Sequence, residues 1–166
     1  MKLLPLVAAT ALFGFMGTFA GAQSLPMTPQ DFASTAASSD IFEIQSSEIA
    51  LQKGQSDQVK EFAQMMIDDH TKASEELKAA AAKDGATVPA ELLEAHRVQL
   101  ETLNNAPESG FDAAYLQAQV GAHEEAIALM TGYAKDGEDG ALKAHAEKAA
   151  PVIQKHLEHV QMIAPK

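Results

Sequence analysis

The chain is predicted to be all-α, a four-helix bundle with a long helical crossover between its second and third helices. Three observations carry this. Four long stretches repeat apolar residues at steps of three and four, which is the spacing of one buried helix face. No run of four or more residues alternates apolar and polar with β-branched enrichment, so no strand is expected. Residues 84–111 separate the second stretch from the third and carry an amphipathic pattern of their own, which lets the second and third helices run parallel. The simpler up-down-up-down order is the alternative.

Residues 1–22 precede the fold. Lys2 gives a short positive start, Leu3 to Phe19 an apolar stretch broken by Pro5, Gly14 and Gly17, and Ala20-Gly21-Ala22 a small-x-small cleavage site before Gln23. This is the pattern of a secretory signal rather than of a membrane anchor. With no Cys after the site, a lipid-anchored mature terminus is not expected. The mature chain, 23–166, is then one domain with nothing long and apolar enough to span a bilayer, exported and expected in the periplasm. The full chain carries 12 basic and 23 acidic residues, a formal charge of -11. That balance argues against nucleic-acid and anionic-lipid partners and leaves any protein partner unspecified. Zero Cys removes disulfides, iron–sulfur clusters and thiolate zinc sites.

The first helix is announced by Thr28-Pro29-Gln30-Asp31: an N-cap, a proline at the first helical position and an acid in the first turn. Its inward stripe is read as Ala33, Ala37, Ile41, Ile44, Glu48 and Leu51, with Gly54 as the stop. Ser56 or Asp57 opens the second helix, which carries Val59, Ala63, Met66, His70, Ala73, Leu77 and Ala80 inward and ends near Lys83 before Asp84-Gly85. In the crossover, Pro89 starts a segment with Leu92, Leu93, His96, Leu100 and Leu103 on one face. A helix of about 16 residues, roughly 24 Å, fits there. Asp112 opens the third bundle helix, with Leu116, Val120, His123, Ile127, Met130 and Ala134 inward and Asp136-Gly137 as its end. The fourth starts near Gly140 and reads Leu142, Ala146, Ala149, Ile153, His156, Val160 and Ile163. Pro151 inside it is expected to kink the helix or free the Glu147 carbonyl.

One ionisable residue thus falls on each inward stripe: Glu48, His70, His123 and His156. An unpaired polar group in a core costs on the order of 1–3 kcal/mol, so these four need partners. Counting 1.5 Å per residue from the nearest helix ends, His70 and His123 come out level, and Glu48 with His156 form a second rank 8–10 Å away. Neutral imidazole and carboxylate in a bundle core suit a transition metal: iron, zinc, copper or nickel. The competing reading is a hydrogen-bonded polar layer, Glu48 with His156 and His70 with His123, helped by Gln119 and Tyr115.

The runs FAQMMIDDHTKASEEL, FDAAYLQAQVGAHEEAIALM and APVIQKHLEHV resemble the bacterial family called domain of unknown function 4142, from about Asp31 to Met162. The resemblance implies an exported ferritin-like bundle and carries the histidine pattern onto His70, His123 and His156, with Glu48 on the first helix. Di-iron bundles use Glu-x-x-His on two helices. Here the residues three before the histidines are Ile67, Val120 and Ile153, so iron storage and oxygen-activating di-iron chemistry are not supported.

Lesser signals are weaker. HEEAI at 123–127 lacks the second histidine of a zincin helix. His159 lies at the edge of its stripe, Met66 and Met130 read as core filler, and His96 and His145 as ordinary histidines. Asp68-Asp69 and Glu124-Glu125 read as solvated faces, from which Asp69 or Glu124 can orient an imidazole. No spacing singles out a Ser-His-Asp triad. The function expected is a non-catalytic bundle that binds iron, zinc or copper through Glu48, His70, His123 and His156; the alternative is a structural or partner-binding bundle with a polar core and no metal.

Overall fold

A computed structural model describes residues 27–164; the expected signal segment lies outside them. Five α-helices follow in order: α1 Pro29–Lys53, α2 Asp57–Lys83, α3 Glu94–Asn104, α4 Phe111–Asp136 and α5 Ala141–Ile163. No strand occurs among the described residues. α1, α2, α4 and α5 make the bundle, and α3 lies in the crossover against α1 and α4.

The helix ends follow the punctuation in the sequence. Thr28 Oγ1 accepts the Asp31 N–H at 3.1 Å and Pro29 fills the first turn. Gly54 closes α1 through its N–H to the Ala50 carbonyl, and a Cβ there would sit 2.5 Å from that oxygen. Two aspartates then tie the helices together at opposite ends. Asp112, at the start of α4, accepts the N–H groups of Gln55 and Ser56, both at 2.9 Å. Asp84, just past α2, accepts those of Ala141 and Leu142 at 2.9 and 2.7 Å, and so supplies α5 with the N-terminal cap its own sequence lacks. Because the start of α4 meets the start of α2, and the end of α2 meets the start of α5, α2 and α4 run parallel. The crossover order is the observed one.

One expectation changes. The crossover helix has 11 residues, about 16 Å, and does not run the length of the bundle. Leu93 is an extended N-cap whose N–H goes to Ser38 Oγ at 2.8 Å, which holds the preceding residues off the helical path. Of its expected stripe, only His96 and Leu103 are buried. α5 runs through Pro151, which sits on the exposed face with Glu147, so the freed carbonyl is on the water side.

The core divides into two apolar clusters. One, at the Asp84 end, is built from residues such as Phe32, Leu77, Tyr133, Leu142 and Ile153. The other, at the Asp112 end, holds Val59, Phe62, Met66, Phe111, Tyr115 and Val160. Between them lies a buried polar layer: Asp40, Glu43, His70, Gln119, His123 and His156.

Candidate metal centre

α2, α4 and α5 each bring one histidine to the middle of the bundle. His70, His123 and His156 are 4%, 1% and 6% exposed, and one ring nitrogen from each lies within 4.8 Å of the other two. The ring centroids form a nearly equilateral triangle with sides of 6.0, 5.7 and 5.6 Å.

Which nitrogen faces the centre is set from behind each ring. His70 Nδ1 is 2.8 Å from Asp40 Oδ1. His123 Nδ1 donates to the Gln119 carbonyl at 2.8 Å, with Glu43 Oε1 at 3.5 Å from the same atom. His156 Nε2 is 2.9 Å from Asp69 Oδ2. A ring nitrogen against such an acceptor carries the proton, which leaves the opposite nitrogen with a lone pair. Those opposite atoms are His70 Nε2, His123 Nε2 and His156 Nδ1, all buried and all without a protein partner. Each imidazole therefore has an oxygen at its back, a carboxylate for His70 and His156 and a backbone carbonyl for His123, and its other nitrogen without a protein partner, which is how metal-binding histidines are commonly held.

Protonation favours the same use. Burial first, then the neighbouring His70, holds the His123 pKa down at about 3. His156 is lowered by the same two causes, against the pull of Asp69. Both are neutral at neutral pH, as ligands must be. His70 differs: burial lowers its pKa, but the Asp40 hydrogen bond and the charges of Glu43, Asp40 and Asp69 outweigh that and raise it. Glu43 is 1% exposed with neither oxygen hydrogen-bonded, and burial pushes its pKa up to about 7 against the pull of His70. An unpaired buried acid is expensive in an ordinary core. Beside three lone pairs aimed at one point, it is what a cation needs.

A cleft of about 130 Å³ between α2 and α5 reaches the layer. His70, His156, Asp40, Asp69, His145 and Met130 are among the residues that line it. His123 and Glu43 do not, so the layer has one side toward the cleft and one sealed side.

The three predicted histidines meet; Glu48 does not join them. It is exposed, and the acid on α1 that reaches the layer is Glu43. The expected stripe followed the large apolar residues Ile41 and Ile44, which are only partly buried. The buried line runs instead through Phe32, Ala36, Asp40, Glu43, Ser47 and Ala50. The serines on and beside it reach other helices: Ser46 accepts from Gln119 Nε2 at 3.1 Å, and Ser47 shares a hydrogen bond with the Tyr115 hydroxyl at 2.8 Å. The signal in the sequence is the run of small residues at helical spacing, into which Asp40 and Glu43 fall three apart.

The two-rank arrangement is also corrected, since the histidines share one level. α5 is pinned by Asp84 at its start. Measured from that pinned end, His156 is 15 residues in and His70 and His123 each 13, within a turn of one another. Asp69 does orient His156, as its position allowed, while Glu124 is exposed. His96 is not ordinary: it is buried, stacked on Phe42 at 5.6 Å, and its Nδ1 is 2.6 Å from Ser38 Oγ. That Ser–His pair has no access to substrate, because Ser38 is 0% exposed and already accepts the Leu93 N–H. It docks α3.

Three helices giving one imidazole each to a buried point define the class: a helical bundle with a histidine-lined internal site. The chain belongs to the family described as Domain of unknown function (DUF4142), which matches residues 16–163. The solved structure of CopM in the Cu(I)-bound form is similar in fold, with a TM-score of 0.66 at 18% identity over 81% of this chain and 94% of that one. No curated protein matches the chain in sequence. No helix among the described residues is long and apolar enough to cross a membrane.

Proposed function

We propose that the protein is an exported, non-catalytic bundle that binds a transition-metal ion through His70, His123 and His156. The observation that carries this is the arrangement of the rings: each has one nitrogen engaged by the protein and the other without a protein partner, and one nitrogen from each ring lies within 4.8 Å of the other two. A layer built only for hydrogen bonding would turn these groups toward one another. Imidazole donors suit zinc, copper and iron, and the CopM neighbour was solved with Cu(I) bound. The α2–α5 cleft gives the ion a way in.

The test starts from protein stripped with a chelator and then given zinc(II), copper(II) or iron(II). One equivalent is expected to be retained after desalting, by elemental analysis. Unfolding should be displaced upward by about 2.7 kcal/mol when free metal is 100 times Kd. His70→Ala, His123→Ala and His156→Ala are each expected to abolish the retained equivalent. A melting curve unmoved by all three metals would reject the proposal.

A further inference from the structure

We infer that the site selects a divalent ion over a monovalent one, and that Glu43, with Asp40, sets this preference through its buried charge. The inference rests on the metal reading above and goes beyond it to the class of ion.

Imidazoles that bind an ion through their lone pairs are neutral and bring no charge, so the ion's own charge must be balanced by whatever else the interior holds. Two buried carboxyl groups stand directly behind the ligands. Asp40, 7% exposed, is 2.8 Å from His70 Nδ1, and Glu43, 1% exposed, has Oε1 3.5 Å from His123 Nδ1. The third, Asp69 behind His156, has a side chain 48% exposed and is screened by water. No lysine or arginine makes an ion pair with Asp40 or Glu43 among the described residues. As carboxylates, the two acids carry two negative charges into a low-dielectric layer. A divalent ion neutralises that pair, whereas a monovalent ion leaves one charge uncompensated, and an unbalanced buried charge is costly. The donor atoms are compatible with this, since the converging groups are imidazole nitrogens, which suit zinc(II).

The experiment compares zinc(II) with silver(I), a monovalent ion that brings no redox change, by competition against a chelator of known affinity for each. Both are titrated into the full chain and into Glu43→Gln, which keeps the shape and removes the charge. Coulomb energy is linear in the ion's charge, so the logarithm of the loss should be twice as large for zinc. The expected losses are about 100-fold for zinc(II) and about tenfold for silver(I). Glu43→Asp, which restores the charge, should recover the preference for zinc, a recovery that mere repacking does not give. Equal losses for the two ions, or a larger one for silver, would overturn the inference while leaving the metal reading standing. If the full chain bound neither ion, this inference would fall, while the metal reading would be decided by copper(II) and iron(II).

Discussion

The middle of the bundle and its two ends are built on opposite terms. The ends are ordinary cores: Phe32 stacks on Tyr133 at 4.0 Å in one, and Phe62 meets Tyr115 edge-on at 6.3 Å in the other. The middle layer buries two acids and three imidazoles, and leaves Glu43 and the inner ring nitrogens without partners. Burial at the ends stabilises the fold; burial in the middle costs stability. The bundle tolerates such a layer because apolar clusters flank it on both sides and Asp84 and Asp112 pin the helices at either end.

The sharpest way to break this contrast is to weaken an end. Phe62 is 0% exposed and touches Tyr115, His123 and His159. Phe62→Ala is expected to cost about 3–5 kcal/mol in urea unfolding, with or without metal.

The middle should respond with the other sign. Glu43 has a folded pKa of about 7, above the ordinary carboxyl value of 4.5, so its contribution to stability is complete below about pH 4.5 and is lost as pH rises through 7. In metal-free protein, Glu43→Gln is therefore expected to be more stable than the parent at pH 8. The gain is on the order of 3 kcal/mol and should close as pH falls toward 4.5. Equal stability at both pH values would show that this acid is not strained by burial. His123 opposes it: held at about 3, its stabilising contribution is present above pH 6.5 and is lost as pH falls through 3.

A smaller effect is expected where α3 meets the bundle. Ser38→Ala removes the partner of both His96 and the Leu93 N–H, and should cost about 1–2 kcal/mol. The loss should appear as faster amide exchange in α3 than in the four bundle helices. The smallest is at Glu48, which is exposed: Glu48→Gln is expected within about 0.5 kcal/mol of the parent, with metal retention unchanged. A large effect there would restore the acid first read onto the inward face.

How much of the site could be read in advance differs from helix to helix. On α2, α4 and α5 the histidines interrupt stripes of Leu, Ile, Val and Met, so an imidazole out of place is visible and its face is certain. α1 has no such contrast. Past Phe32 its buried line is made of Ala, Ser, Asp and Glu, while Ile41 and Ile44 are only partly covered and line a groove with Leu77 and Val88. Hydrophobicity there points to the wrong face. Of the carboxylates behind the rings only Asp69 was legible, as the immediate chain neighbour of a predicted ligand.

By itself the sequence determined the all-α class, the four bundle helices with nearly all their ends, and the three histidines, because helical periodicity and capping act over a few residues of one chain segment. Tertiary structure alone decided that Glu43 rather than Glu48 faces the layer, that the histidines share one height, and which nitrogen of each ring points inward. Those depend on how far each helix slides and turns against its neighbours, set by Asp84 and Asp112 tying ends some fifty-seven positions apart and by carboxylates reaching across from other helices. Local pattern has no term for either.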